Sequence, residues 1–178
     1  MPLLKDGKVA DDTWAFVADG EELPAEGHVA VSLARFLAEH EGLLAGNRQV
    51  GVKLANSDDP GALKPWLDRI GMIALEFPKY TDGRALSQAQ LLRRRYGYSG
   101  EIRALGQVLR DQLRLMIRSG FDAVVIDQAD AEAVYAFSSH EFSEFYQAAA
   151  DQTATIFEKR QQARQLKKPT DERTRNGN

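Results

Sequence analysis

The strongest constraint on this chain is a regular alternation of short apolar runs with helix-like stretches. Five runs rich in Val, Ile and Leu follow one another at spacings of 21 to 29 residues: Val29–Leu33, Val50–Leu54, Met72–Phe77, Glu101–Leu105 and Asp122–Ile126. Runs of this length, bounded by glycine, proline or polar residues, are typical of buried strands. Strands and helices alternating at this spacing predict βα units with parallel pairing and right-handed crossovers.

This count of strands limits the architecture. Five units are too few for an eight-stranded barrel of repeated βα units. We therefore expect an α/β domain with about five mainly parallel strands, in an open twisted sheet or a partial TIM-like barrel that other elements or a partner chain close. One domain over residues 1–158 accounts for the pattern.

The two ends of the chain differ from this pattern. Residues 1–28 carry the turn pair Asp6-Gly7 between alternating apolar positions, which predicts a hairpin-like extension. Residues 159–178 offer almost no apolar side chains to bury, so we expect a fraying helix and then a disordered basic tail.

Three helices have recognisable ends in the sequence. Asp59 before Pro60 is a typical N-cap followed by proline at the first helical position. Ser87 with Gln90 matches a capping box and predicts a second helix start. Gly120 follows a stretch with apolar residues at helical spacing and predicts where a third helix ends.

Composition excludes several kinds of chemistry. The 178 residues include no cysteine, which rules out disulfides, thiol catalysis and cysteine-ligated iron–sulfur clusters. The net charge of −3 gives no reason to expect nucleic-acid or membrane binding. No run of about 18 apolar residues occurs, and the first residues lack the apolar centre of a signal peptide. We expect a cytoplasmic protein.

Arginine is concentrated between Arg84 and Arg118. Eight arginines against two acidic residues give this segment a net charge of +6, so the rest of the chain carries −9. Arg110, Arg114 and Arg118 are spaced four residues apart, which places them on one helix face. Such a face is either simply solvated or docks an acidic partner, because guanidinium groups suit bidentate pairing with carboxylates.

Charged residues also recur near the carboxyl ends of three predicted strands. Side chains alternate in a strand, so Lys53, Glu76 and Arg103 lie opposite the apolar faces of their runs. Parallel α/β folds place their sites at the carboxyl ends of strands, where these three residues can converge as a catalytic group. A structural cluster of ion pairs is the alternative.

The loop after the third predicted strand offers an anion site. Lys79, Asp82 and Arg84 share a turn in which Gly83 can take positive φ, and Ser87 is predicted to start the next helix. Lys79, Arg84 and Ser87 are our candidates for binding an anion. Asp82 can orient Arg84 or act as a general base. A well-formed turn with an Asp–Arg bridge is the simpler interpretation.

Several common motifs are missing. No G-x-G-x-x-G follows a strand, so the standard dinucleotide fingerprint is absent and the cofactor is unknown. The three histidines, His28, His40 and His140, lack the spacing of metal ligands, and we predict no metal site.

The run FPKYTDGRALSQAQLLRRRYGYSGEIRALGQVLRDQLRLMIRSGFDAVVI, from Phe77 to Ile126, carries a family signature. It resembles the bacterial family called domain of unknown function nine hundred thirty-four, and the likeness extends over nearly the whole chain. The family has no established catalytic motif, so it assigns no role to any residue here. Its members are commonly labelled oxidoreductases of sulfite reduction.

The resemblance implies a role in sulfur assimilation. We expect an accessory protein or oxidoreductase that binds a small anion, with sulfite reductase or an acidic electron carrier as partner; a homodimer is compatible. A scaffold without catalysis of its own, and a TIM-like enzyme using Lys53, Glu76 and Arg103, are the alternatives.

Overall fold

The computed structural model describes residues 2–126, 130–140, 144–151 and 153–166. All five predicted strands are present, and three more precede them. The strands are β1 (Leu3–Lys5), β2 (Lys8–Ala10), β3 (Trp14–Phe16), β4 (His28–Ser32), β5 (Gln49–Leu54), β6 (Ile70–Phe77), β7 (Glu101–Gly106) and β8 (Ala123–Val125). The α-helices are α1 (Leu33–Ala45), α2 (Arg84–Gln90), α3 (Leu113–Ser119), α4 (Ala131–His140) and α5 (Ile156–Leu166).

The strands form one sheet that curls into a half-barrel, with the order β2-β1-β8-β7-β6-β5-β4-β3. Pairing is parallel from β3 to β8 and antiparallel where β1 meets β8 and β2. The prediction of a mainly parallel α/β fold is confirmed. Successive βα units produce this arrangement because a right-handed crossover returns each strand beside its predecessor.

The predicted hairpin at the start of the chain is confirmed. β1 and β2 pair across Asp6 and Gly7, whose φ values of 49° and 81° are the left-handed conformations of a tight hairpin turn. The chain then crosses to the far side of the sheet, where β3 pairs with β4. The first sixteen residues therefore supply strands to both edges.

The main core lies on one face of the sheet. Alternate residues of each strand point to the same face, so Val50, Val52 and Leu54 of β5 lie with Leu75 and Phe77 of β6, and all are at most 2% exposed. Apolar side chains of α1 to α4 complete this cluster. Lys53, Glu76 and Arg103 alternate with these core residues and so lie on the opposite face, as predicted.

The predicted start of the second helix is wrong. α2 begins at Arg84, not at Ser87, which lies inside the helix and is exposed. The reason is the apolar stripe of Ala85, Ala89 and Leu92, all 0% exposed, which must face the sheet from the first turn onward. After α2 the helical segment continues as a π-helical turn, Leu91–Arg95. The segment ends before Gly97, whose φ is 69°.

Other helix ends agree with the sequence. The Asp59 carboxylate accepts a hydrogen bond of 2.8 Å from the Gly61 N–H and caps a 3₁₀ helix, Pro60–Trp66. α3, which a short 3₁₀ turn precedes, is capped at its C-terminal end by Gly120, whose φ is 102°. α5 extends to Leu166, inside the predicted tail, and residues 167–178 lie outside the described residues.

None of the helices in the described ranges has the length and hydrophobicity needed to cross a membrane.

Candidate functional site

The carboxyl edge of the sheet, meaning the ends of β5, β6 and β7 with the loops after them, brings two of the predicted residues together. The Lys53 Nζ atom lies 3.2 Å from a carboxylate oxygen of Glu76. Their side chains are 40% and 37% exposed, so water screens the pair and the contact contributes little to stability. The two charges are close to the strand ends and accessible to a ligand.

Arg103 does not join this pair, so the predicted convergence of all three residues is wrong. Its guanidinium bonds the Asp12 and Glu101 carboxylates at 2.7 Å each, and its side chain is 1% exposed. Lys5 bonds the other oxygen of Glu101 at 2.7 Å. A buried guanidinium needs carboxylate partners, and the available ones lie toward the start of β7 and before β3, away from the carboxyl edge.

Asp82 and Arg84 form the tight bridge that their turn suggested. The Arg84 Nη2 and Asp82 Oδ2 atoms are 2.6 Å apart, and the Asn56 amide also donates to Oδ2 at 2.6 Å. The Arg84 side chain, as the strongest influence, lowers the pKa of Asp82 from 3.8 to about 2. Such a carboxylate is a weak proton acceptor at neutral pH, so the geometry favours the orienting role over general-base catalysis.

The proposed anion site around this turn is only partly assembled. Because Asp82 already neutralises Arg84, little of that positive charge remains for a ligand. Lys79 is exposed in the same loop, and no carboxylate in the described part of the chain forms an ion pair with it. Ser87 sits on an exposed face of α2 and does not cap the helix.

The three arginines spaced along α3 and the turn before it pack on aromatic rings of the same chain. Arg110 stacks on Phe137 with 5.2 Å between its guanidinium carbon and the ring centre. Arg114 and Arg118 lie over Phe145, at 5.0 and 3.8 Å. Such stacking uses the flat face of a guanidinium and leaves its N–H edge for hydrogen bonding.

The contacts differ along this row of arginines. Arg118 also forms an ion pair with the Asp151 carboxylate at 3.4 Å and donates a 2.7 Å hydrogen bond to the Gln147 carbonyl. Arg110, at the other end, is exposed. Docking of an acidic partner here therefore stays a prediction, with Arg110 as its accessible member.

A small cleft opens where this arginine row meets α4. Its volume is about 160 Å³, and its walls are Arg110, Asp111, Arg114, Phe137 and Ser138. We call it the arginine cleft. Sequence reasoning missed it because α4 supplies one wall, and no local pattern shows where α4 packs. The available signal was Phe137, a large aromatic residue near the end of that helix.

The arginine cleft lies beside the carboxyl edge. The Gln112 side-chain amide donates a 2.5 Å hydrogen bond to the Tyr80 carbonyl in the loop after β6. Lys79 is the neighbour of Tyr80 in that loop, so this hydrogen bond links the cleft-bearing turn to the predicted anion loop.

His28 and His40 contact neither of these two regions. His28 shares a 2.9 Å hydrogen bond with the Thr13 hydroxyl, and His40 approaches the Leu37 carbonyl within its own helix. The side chain of His140 lies outside the described residues. Within the ranges that the structure describes, no three histidine, aspartate or glutamate side chains gather as metal ligands.

The fold and these clusters define a single class of protein: an α/β protein with a curled, mainly parallel sheet and charged side chains at the ends of its strands. The chain belongs to the family DUF934, described as a bacterial protein of unknown function, whose model matches residues 51–157. Among curated proteins, none matches the chain.

Proposed function

We propose that this protein is an accessory of sulfite reduction that binds a small oxyanion of sulfur in the arginine cleft. The arginine cleft supports the anion-binding part because two guanidinium groups line one small concavity. The link to sulfur rests on the family resemblance seen in the sequence.

The arginine cleft suits an oxyanion for two reasons. Guanidinium groups pair oxyanions through charge-assisted hydrogen bonds, and stacking on Phe137 holds the exposed Arg110 in place without using its N–H edge. The volume of about 160 Å³ has room for an anion of three or four oxygens with some water, but not for a nucleotide.

Asp111 adds selectivity to this proposal. Its carboxylate lines the same cleft and repels a fully ionised anion, whereas it can accept a hydrogen bond from a protonated one. Near neutral pH a substantial fraction of sulfite carries a proton as hydrogen sulfite, whereas sulfate is fully ionised. We therefore expect sulfite to bind more tightly than sulfate.

Calorimetric titration of the full chain with sulfite, sulfate and phosphate tests this assignment. We expect the full chain to bind sulfite. In Arg110→Gln and in Arg114→Gln the affinity should fall about tenfold or more, because each variant loses at least one charge-assisted hydrogen bond to the anion. Arg95→Gln is the matched control, because Arg95, like Arg110, is exposed but lies at the end of the π-helical turn. Absence of sulfite binding, or equal weakening in the control, would refute the site.

Growth measurements test the link to sulfur. Deleting the gene in its native host should slow growth on sulfate or sulfite as sulfur source and leave growth on cysteine unchanged. Complementation with Arg110→Gln should restore less growth than complementation with Arg95→Gln. Equal growth of the deletion strain on all three sources would exclude the role in sulfite reduction, whatever the calorimetry shows.

A docking function for sulfite reductase or its electron donor, without catalysis, is the second candidate. The observation in its favour is the exposure of Tyr80, Leu109 and Phe137, which are 51%, 43% and 59% exposed around Arg110. Exposed aromatic residues beside arginine are typical of the centres of protein interfaces. Co-purification from the native host should recover the partner with the native chain and lose it with Tyr80→Ala; recovery with both would argue against this surface.

A further inference from the structure

A second and larger cavity lies at the opposite end of the strands. We call it the amino-end cavity, because its walls include the first residues of β4, β5 and β7, which are His28, Gln49 and Glu101. Its volume is about 410 Å³, which falls within the range of about 300–1,000 Å³ found for small-molecule sites. We propose that it binds an uncharged, amino-substituted planar heterocycle of nucleobase size.

The shape of the amino-end cavity favours a flat ligand. One wall is the indole of Trp14, which packs against the His28 ring with 5.0 Å between ring centres. The indole lies close over two glycines, and a Cβ atom at Gly51 or Gly71 would come within 2.8 or 3.3 Å of it. The absence of side chains there lets the ring lie against the sheet. A planar ligand can stack on such a fixed aromatic surface.

The charges of the amino-end cavity favour a neutral ligand. Lys5, Glu101, Arg103 and Asp12 are joined in one chain of ion pairs whose two positive and two negative charges cancel. The Asp11 carboxylate lines the cavity in addition. A phosphate or carboxylate group would face this negative charge without a compensating excess of cations, whereas an amino group can donate to it.

Hydrogen-bonding groups at the rim fit the edge of a heterocycle. Gln49 offers an amide donor and an amide acceptor side by side, the pair that recognises adenine bidentately in other proteins. Its Oε1 atom would be 3.2 Å from a Cβ atom at Gly71, so the amide lies along the rim beside the indole. The Thr13 hydroxyl engages Nδ1 of His28 and leaves Nε2 for a ligand.

Fluorescence of a single tryptophan provides the test. The chain contains two tryptophans, and Trp66→Phe leaves Trp14 as the reporter. We expect adenosine to quench Trp14 saturably with a dissociation constant of about 1 mM or tighter. Adenosine monophosphate should bind more weakly than adenosine, and inorganic phosphate should leave the emission unchanged. Should the Trp66→Phe chain fail to fold, the indole N–H signal of Trp14 in the unmodified chain gives the same readout by NMR.

Gln49→Ala should weaken adenosine binding about tenfold, the loss of two neutral hydrogen bonds. Gln107→Ala is the matched control, since Gln107 is also exposed but follows β7 at the carboxyl edge. Three results would overturn the proposal: no saturable quenching by adenosine, tighter binding of the monophosphate than of adenosine, or equal loss in the two glutamine variants.

Discussion

The two ends of the sheet differ in how deeply their charged side chains are buried and how completely they are paired. At the carboxyl edge, Lys53 and Glu76 form an exposed ion pair that water can reach. Toward the amino end, Arg103 is 1% exposed and bonds two carboxylates, one of which also accepts from Lys5. Buried charge must be matched almost completely, and exposed charge need not be. Loss of a partner at the amino end therefore leaves a buried charge uncompensated, while at the carboxyl edge water can solvate the charge that remains.

Removing the buried guanidinium of Arg103 should change the free energy of unfolding more than any other substitution considered in this comparison. Arg103→Met keeps much of the side-chain volume but leaves Asp12 without its ion-pair partner and Glu101 paired with Lys5 alone. We expect the free energy of unfolding to fall by about 3–5 kcal/mol, as measured by urea denaturation. Lys5→Met is the control, because Lys5 is 46% exposed, and it should cost at most about 1 kcal/mol. Similar losses in both variants would mean that burial does not distinguish the two charges.

The end of β7 should show the next largest effect. Gly106 has a φ of 95°, and a Cβ atom there would clash with the Phe77 carbonyl oxygen of β6, because it would lie closer than van der Waals contact allows. Gly106→Ala should therefore lower the free energy of unfolding by about 1–3 kcal/mol. Gly97→Ala tests conformation without the clash, since φ is 69° but the space is open, and we expect a loss of about 1–2 kcal/mol at most. A larger loss for Gly97→Ala would contradict this account.

The exposed pair of Lys53 and Glu76 should contribute much less to stability. A double-mutant cycle of Lys53→Ala and Glu76→Ala should give a coupling energy below about 1 kcal/mol at low salt, and less at high salt because ions screen exposed charges. Urea denaturation of the four chains measures it. A coupling of several kcal/mol would place this pair in the same class as Arg103 and remove the contrast between the two ends.

The Asp82–Arg84 bridge should affect the pKa of Asp82 more clearly than it affects the free energy of unfolding. NMR of the Asp82 carboxyl should give a pKa of about 2, and Arg84→Gln should return it toward 3.8. Because folding lowers this pKa, the bridge contributes stability above about pH 4 and loses it as the pH falls toward 2. Asn56→Ala, which removes a weaker influence, should change the pKa less than Arg84→Gln does. An unchanged pKa in Arg84→Gln would contradict the assignment.

Much of this fold was readable from the sequence, for identifiable reasons. The strands are apolar runs whose burial follows from their own side chains, and alternation within each strand placed Lys53, Glu76 and Arg103 on the correct face. The short strand Trp14–Phe16 escaped notice because three residues carry too little pattern to distinguish a strand from a loop.

The site was less predictable because it depends on contacts between distant segments. Asp12 and Arg103 are 91 residues apart, and neither sequence neighbourhood shows that they meet. The pattern at Ser87 and Gln90 resembled a helix start, but burial of the apolar stripe beginning at Ala85 outweighed a local capping preference. Phe137 and Phe145 were visible in the sequence, while their role as stacking surfaces for the arginines depends on how the later part of the chain folds back.

The placement of the first strands has a consequence for how the protein is made. β1 leaves the ribosome about 120 residues before its partner β8, since Leu4 pairs with Val124. Until then the nascent hairpin lacks its main neighbour, and at about 5–20 residues per second the wait lasts several seconds or more. Completion of the sheet therefore waits for β8, and until β8 emerges, β7 and the growing chain expose apolar surface that chaperones can bind.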